Sequence, residues 1–158
     1  MFRMEDSRFW RVVVAGLVLA MLAVPSMLNA AADEPSIEEL KARVADAKIA
    51  DRPAMCLHIA ERQLGAAGRL YDAGDSERAR AALADVVAFS ELARDSAIQS
   101  RKHEKQSEIA IRKMTRKLAD LKHTVSHDDQ EQVQNTMDRL QRVRDDLLVA
   151  MFPKVGKK

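Results

Sequence analysis

The chain of 158 residues is poor in the residues that build turns, sheets and covalent cross-links. It contains 5 Gly and 4 Pro, and aromatic residues make up only 4% of it. An all-β domain of this length would usually carry more aromatic and β-branched residues and more turn residues. The abundant residues are Ala, Leu, Arg, Lys, Glu and Gln, which favour helices. The composition therefore predicts an all-α protein.

The sequence also lacks the usual parts of a chemical site. Its single cysteine, Cys56, cannot form an internal disulfide, and we expect it to be buried as a small apolar residue. There is no haem-attachment motif, no His-Glu-x-x-His zinc motif and no Gly-rich phosphate loop. His123 and His127 straddle a predicted turn, so we expect them to be exposed. We predict no metal, no cofactor and no enzymatic activity.

The N-terminal segment has the order of a secretory signal. Three arginines within the first eleven residues precede an uncharged run of 13 residues, 12–24, and small residues follow it. A transmembrane helix needs roughly 20 apolar residues, so an uncleaved anchor is the weaker alternative. We predict a signal peptide over residues 1–32 and a single helical domain over residues 33–158. The mature chain would then have no transmembrane span and would be periplasmic or extracellular.

Cap and stop residues predict the first two helices. Ser36 and Glu39 form a capping-box pair, which predicts a first helix from Ser36 to about residue 49. Gly74 tolerates the left-handed conformation that ends a helix, so it predicts the end of a second helix over residues 52–74. A third helix should begin directly after Gly74 and form an antiparallel hairpin with the second.

The third helix is predicted to be unusually long. From Ala79 to Val125, alternating steps of four and three visit fourteen positions, and ten of them are apolar. No Gly or Pro lies between Asp75 and Phe152. The seven-residue phase continues across the polar middle, residues 100–107, as expected if one helix runs straight through. Such a helix would be about 75 Å long at 1.5 Å per residue.

Two arrangements follow from these helix lengths. A final helix over residues 128–152 can fold back along the second half of the long helix, so we predict two hairpins that share one long central helix. The alternative breaks that helix near residues 100–104 and forms a compact up-down-up-down four-helix bundle, which buries more apolar surface. It requires a tight turn where every residue tolerates a helix. A rod two helices thick has a thin core, so we also expect a homodimer.

Residues 60–86 resemble a single tetratricopeptide-type hairpin, which implies a peptide-binding or scaffold role. The resemblance depends on the spacing of Ala67, Leu70, Gly74, Ala79, Leu83 and Val86. Gln63 stands where that repeat usually has a large aromatic residue, and no second copy follows. A plain antiparallel hairpin explains the same residues.

Three stretches carry a second resemblance, which covers the whole mature chain. They are DRPAMCLHIAERQL (51–64), ARDSAIQS (93–100) and EIAIRKM (108–114). With them the chain resembles a family of exported, uncharacterised bacterial proteins that are entirely helical. The resemblance implies export and a helical fold, and it supplies no activity.

Charge is balanced overall and uneven along the chain. Residues 33–158 carry 23 Lys+Arg against 22 Asp+Glu, so bulk charge gives no argument for nucleic acid as a partner. Residues 101–122 hold eight basic and three acidic residues, whereas residues 33–100 hold nine basic and thirteen acidic ones. In a straight rod, one end would therefore be positive and the other negative.

The leading hypothesis is an exported interaction or scaffold protein that docks an acidic partner. That partner would be an unknown protein or an anionic component of the cell envelope. The candidate partner-binding residues are Arg101, Lys102, Lys105, Arg112, Lys113, Arg116 and Lys117. A solvated helix face with internal ion pairs explains the same residues without a partner. The alternative function is a small-ligand- or metal-binding four-helix bundle of the envelope.

Overall fold

The computed structural model describes residues 34–153, and all regular secondary structure in that part of the chain is helical. Its five helices are α1 (Ile37–Asp46), α2 (Arg52–Asp72), α3 (Ser76–Ser100), α4 (Glu104–Lys122) and α5 (His127–Met151). The all-α prediction is confirmed. The predicted signal peptide, residues 1–32, lies outside the described residues. None of the described helices is both long enough and apolar enough to span a bilayer.

The start of α1 is set by the predicted capping box. The Ser36 hydroxyl accepts the backbone N–H of Glu39 at 3.1 Å, and the Glu39 carboxylate accepts the backbone N–H of Ser36 at 2.8 Å. Two otherwise unpaired donors at the helix start are satisfied in this way. On the next turn, Lys41 makes a 3.0 Å ion pair with Asp85, which ties α1 to α3.

Gly74 ends α2 as predicted and allows the chain to turn into α3. Its φ is +77°, and two backbone bonds close the turn: Gly74 N–H to Tyr71 C=O at 2.9 Å and Asp75 N–H to Leu70 C=O at 2.8 Å. This bond pair is the Schellman motif, which satisfies carbonyls at a helix end. Asp75 then caps α3 by accepting the backbone N–H of Arg78.

The predicted unbroken helix from Asp75 to Val125 is wrong, because α3 ends at Ser100 and α4 begins at Glu104. Arg101 and His103 between them adopt positive φ values of +54° and +65°. An α-helix cannot continue through residues in that conformation.

The turn after Ser100 repeats the bond pattern found after Gly74. The N–H of Arg101 bonds to the C=O of Ile98 at 3.3 Å, and the N–H of Lys102 bonds to the C=O of Ala97 at 3.2 Å. Here arginine occupies the left-handed position that glycine usually takes in this motif.

Side-chain contacts show that the chain reverses at this turn. Three pairs with rising residue numbers on both helices connect α3 to α5 and show that the two run parallel: Arg80–Asp129, Glu91–Arg139 and Arg94–Asp146. Two other pairs show that α4 runs antiparallel to α5: Glu108–Arg144 and Lys122–Gln134. It follows that α4 also runs antiparallel to α3.

Burial explains why the reversal is favourable. A non-glycine residue in the left-handed conformation costs roughly 1–2 kcal/mol, so Arg101 and His103 together cost a few kcal/mol. Burial of one large aliphatic side chain stabilises by about 1.5–3 kcal/mol, and the reversed chain buries many. The largest fully buried side chains on α2 to α5 include Ile59, Leu83, Ile111, Met114, Leu118, Leu140 and Leu147.

Candidate docking face on helix α4

The seven candidate residues are all exposed and lie along one segment of the chain. Arg101 and Lys102 are in the turn, and the other five are on α4. We call these seven side chains the basic face: Arg101, Lys102, Lys105, Arg112, Lys113, Arg116 and Lys117. The helical part extends about 18 Å from Lys105 to Lys117 at 1.5 Å per residue. All seven candidate residues are therefore on the surface of the molecule.

The side of α4 opposite the basic face anchors the helix. Ile111, Met114 and Leu118 are fully buried in the core. Their spacing of three and four residues places them on one side of the helix, so the lysines and arginines between them must point to solvent.

The acidic residues of α4 contribute little to this exposed side. Glu108 is only 7% exposed, and its carboxylate accepts the Nε–H of Arg144 on α5 at 2.7 Å. Glu104 is partly buried, which leaves Asp120 as the fully exposed carboxylate of this helix. The solvent side of α4 is therefore more basic than the residue count of the segment indicates.

Most of the basic face has no acidic partner within the described residues. Arg112 lies 3.8 Å from Glu108, and it is the one member of the face with an ion pair there. The pairs Arg112–Arg116 and Lys113–Lys117 are like charges four residues apart, which destabilise an isolated helix by about 0.2–0.5 kcal/mol each. The interpretation of the face as a network of internal ion pairs is therefore not favoured.

Lys122 differs from the other basic residues of the segment. It is partly buried, and its ammonium group donates to the side-chain oxygen of Gln134 on α5 at 2.8 Å. Its role is to connect α4 to α5.

The predicted division of the molecule into a positive end and a negative end is wrong. That prediction depended on a straight rod in which residues 33–100 and 101–122 occupied opposite ends. Because the chain reverses, α4 packs beside α2, and a groove of about 300 Å³ between them is lined by residues of both helices, among them Gly68 and Lys117. The basic face therefore lies along the side of the molecule, on the turn and α4, and does not form one end of a rod.

Three ion pairs join α3 to α5, and they involve Arg80, Glu91 and Arg94 of α3. The most buried charged residue of these pairs is Asp129, at 3% exposed, whose carboxylate accepts bonds from the hydroxyls of Ser76 and Ser126 at 2.7 and 2.8 Å. Arg80 donates to the same carboxylate at 2.7 and 2.9 Å. The Ser76 hydrogen bond is the largest of the influences that hold the pKa of Asp129 below its usual value, although burial opposes it. This cluster joins the starts of α3 and α5.

Two surface grooves lie between α3 and α5. One of about 370 Å³ runs between α3 and α5, and its charged side chains, Glu91 and Arg139, already bond to each other. Its other walls are small or amide side chains such as Ala88 and Asn135. A second groove of about 380 Å³ continues it toward the Arg94–Asp146 ion pair.

No metal-binding cluster was found between residues 34 and 153, where no three His, Cys, Asp or Glu side chains converge. Both His123 and His127 are exposed, as predicted. Cys56 is fully buried, also as predicted, and burial raises the pKa of its thiol to about 11. A thiol with this pKa is protonated at neutral pH and is a poor nucleophile.

Comparison of the chain with known protein families, curated proteins and solved structures finds no match to any of them.

Proposed function

We propose that this protein is an exported helical interaction protein that docks an acidic partner through the basic face of α4. The observation that carries the proposal is the set of exposed cations, most of them without an ion pair in the described residues, on one side of a helix whose other side is fixed in the core. Lys113, Arg116 and Lys117 show this most clearly, since they are neighbouring exposed cations for which no ion pair is present in the described residues, with Asp120 as the exposed carboxylate beside them.

A rigid row of like charges suits electrostatic docking. The charges attract an acidic surface before contact, and their fixed positions reduce the ordering cost at binding. Exposed charges interact over about one Debye length, which is about 8 Å at physiological ionic strength. Docking by this face should therefore be fast, and added salt should weaken it strongly.

The partner we propose is an unknown protein or an anionic component of the cell envelope. Support for the envelope comes from the signal-like order of residues 1–32, namely positive, apolar and then small residues. Cell fractionation with an antibody to the folded region would test this part directly. A chain found only in the cytoplasm would contradict it.

The docking proposal is tested by reversing three charges of the basic face. Lys113→Glu, Arg116→Glu and Lys117→Glu together should reduce the affinity for soluble poly-glutamate about tenfold or more at low salt, because each lost attraction becomes a repulsion. The same variant should bind native envelope fractions less well, and its remaining binding should depend less on salt.

A matched control reverses three exposed cations away from α4, at Arg43, Lys48 and Arg142. This variant has the same net charge as the first, so a specific face predicts that it keeps most of its affinity. Equal losses in the two variants would show that only net charge matters. Unchanged binding in the first variant would remove the basic face from consideration.

A further inference from the structure

The turn between α3 and α4 is held in a conformation that its residues disfavour. Arg101 and His103 both have positive φ, and they are the two non-glycine residues with this feature among those described. Neither residue, nor Lys102 between them, is a glycine or a proline. All three residue types favour the right-handed helical conformation over the left-handed one.

The core pattern on the two sides of the turn is already that of one helix. The seven-residue phase that runs from Ala79 to Val125 does not shift at residues 101–103. Ala97 on one side and Ser107 on the other are both fully buried positions of that pattern. If the turn became helical, both helices would keep the same inward-facing side chains.

The two halves that the turn connects are each held together internally. The first half is α1–α3, in which Lys41 bonds to Asp85 and Gln63 bonds to Asp85. The second half is α4–α5, joined by the bonds that Glu108 and Lys122 make to α5. The halves meet mainly through α3 with α5 and α2 with α4, while no Cα atoms of α2 and α5 lie within 8 Å of each other in the described region.

We propose that residues 101–103 are a hinge for domain swapping between two copies of this chain. In the second state the hinge is helical, and α3 and α4 join into one helix over residues 76–122, about 70 Å long. The α4–α5 half of each copy then packs on the α1–α3 half of the other. The partner this surface fits is therefore a second copy of the chain.

Only the conformation of the hinge differs between the two states. The contacts of Arg80 with Asp129 and of Arg94 with Asp146 re-form between chains instead of within one. Straightening relieves two left-handed residues in each chain and adds helical backbone bonds. Strained short hinges of this kind favour swapping, and loss of translational freedom on pairing opposes it. The swapped form should therefore depend on protein concentration.

Two hinge variants should move this equilibrium in opposite directions. Arg101→Gly with His103→Gly makes the turn comfortable and should favour the monomer. Arg101→Ala with His103→Ala penalises the turn, favours the helix and should favour the dimer. Because each dimer straightens two hinges, we expect dimer dissociation constants that differ by about 100-fold or more. Each variant is unfolded and then refolded at high protein concentration. Analytical sedimentation then measures its dimer dissociation constant.

The control variants place the same residue types beside the hinge, at the exposed helical residues Gln99 and Gln106. Both positions are helical in the monomer and in the swapped dimer. An exchange of glycine for alanine at these positions therefore changes helix stability equally in the two states. The control pair should therefore show nearly equal dimer fractions.

Cross-linking distinguishes a swapped dimer from a surface dimer. In a Cys56→Ser background, chains with Glu91→Cys are mixed with chains with Arg139→Cys, refolded together and treated with a short bismaleimide. Residues 91 and 139 are in contact across α3 and α5, so only a swapped dimer brings them together from different chains. We expect linked dimers with the alanine hinge and almost none with the glycine hinge. Equal dimer fractions for the two hinges, or a dimer without this link, would overturn the proposal.

Discussion

At the scale of single residues, one motif appears twice and only one copy was readable from the sequence. After α2 the left-handed position is Gly74, and after α3 the same position is Arg101. Glycine predicts such a turn because it adopts positive φ without strain, whereas an arginine at the same position gives no local signal in the sequence. A turn near residues 100–104 was the less favoured of two predictions, because tertiary burial, which local propensity does not contain, decides between them.

The two turns should respond oppositely to substitution. Arg101→Gly should raise the free energy of unfolding by about 1 kcal/mol, since it removes left-handed strain. Gly74→Ala should lower it by a similar amount, because φ there is +77° and the strain arises even though no atom lies within 4 Å of an added Cβ. Urea unfolding at low protein concentration, where the chain is monomeric, measures both. Equal signs for the two changes would contradict this account.

At the scale of helices, the seven-residue pattern predicted which side of each helix is buried and not where each helix ends. Leu83 and Leu118 were both placed on the inward stripe and are fully buried. The stripe was also correct at Ser90 and Ser107, whose buried hydroxyls have no bonding partner among the described residues. The pattern fits one straight helix and two helices joined by a chain reversal equally well, because the same side chains face the core in both.

The candidate site was likewise predictable only in part from local spacing. Helical spacing places the five candidate cations of α4 between its buried residues, and all five are exposed. It did not show that Glu108 turns away from them, because its partner Arg144 is 36 residues distant along the chain. Long-range pairing of this kind follows from the packing of α4 on α5, which no local pattern specifies.

The contact between the parallel helices α3 and α5 should depend on pH through Asp129. A carboxyl whose pKa is lower in the folded chain stabilises the fold fully above its unfolded pKa of about 3.9. That contribution is lost as the pH falls through the lower folded value. Asp129→Asn should therefore lower the free energy of unfolding by about 1–3 kcal/mol at neutral pH, and the difference should shrink in acid.

A neighbouring residue provides the control for this prediction. Asp128 lies in the same first turn of α5 and is exposed, so Asp128→Asn should change the free energy of unfolding by less than about 0.5 kcal/mol. Thermal or urea unfolding across a pH series compares the two variants. If the free energies of unfolding of the wild type and of Asp129→Asn differ by the same amount down to the lowest pH, the role assigned to Asp129 is contradicted.

At the scale of the whole molecule, the reversal between α3 and α4 determines how the two halves of the chain pack. It brings α3 alongside α5, fixes the inner side of α4 in the core and leaves the basic face toward solvent. The same reversal makes the hinge strained, and it replaces the extended rod that the sequence pattern favoured.

A distance across α3 and α5 tests this central claim most directly. Nitroxide labels at Ala81→Cys and Asp128→Cys, in a Cys56→Ser chain, occupy exposed positions next to the bonded pair Arg80 and Asp129. For the monomeric fraction we predict a label separation below about 25 Å by pulsed electron resonance, since the two helix starts are in contact. An unbroken helix would separate residue 81 from the end of α4 by about 60 Å. A monomer dominated by distances near that value would contradict the reversal.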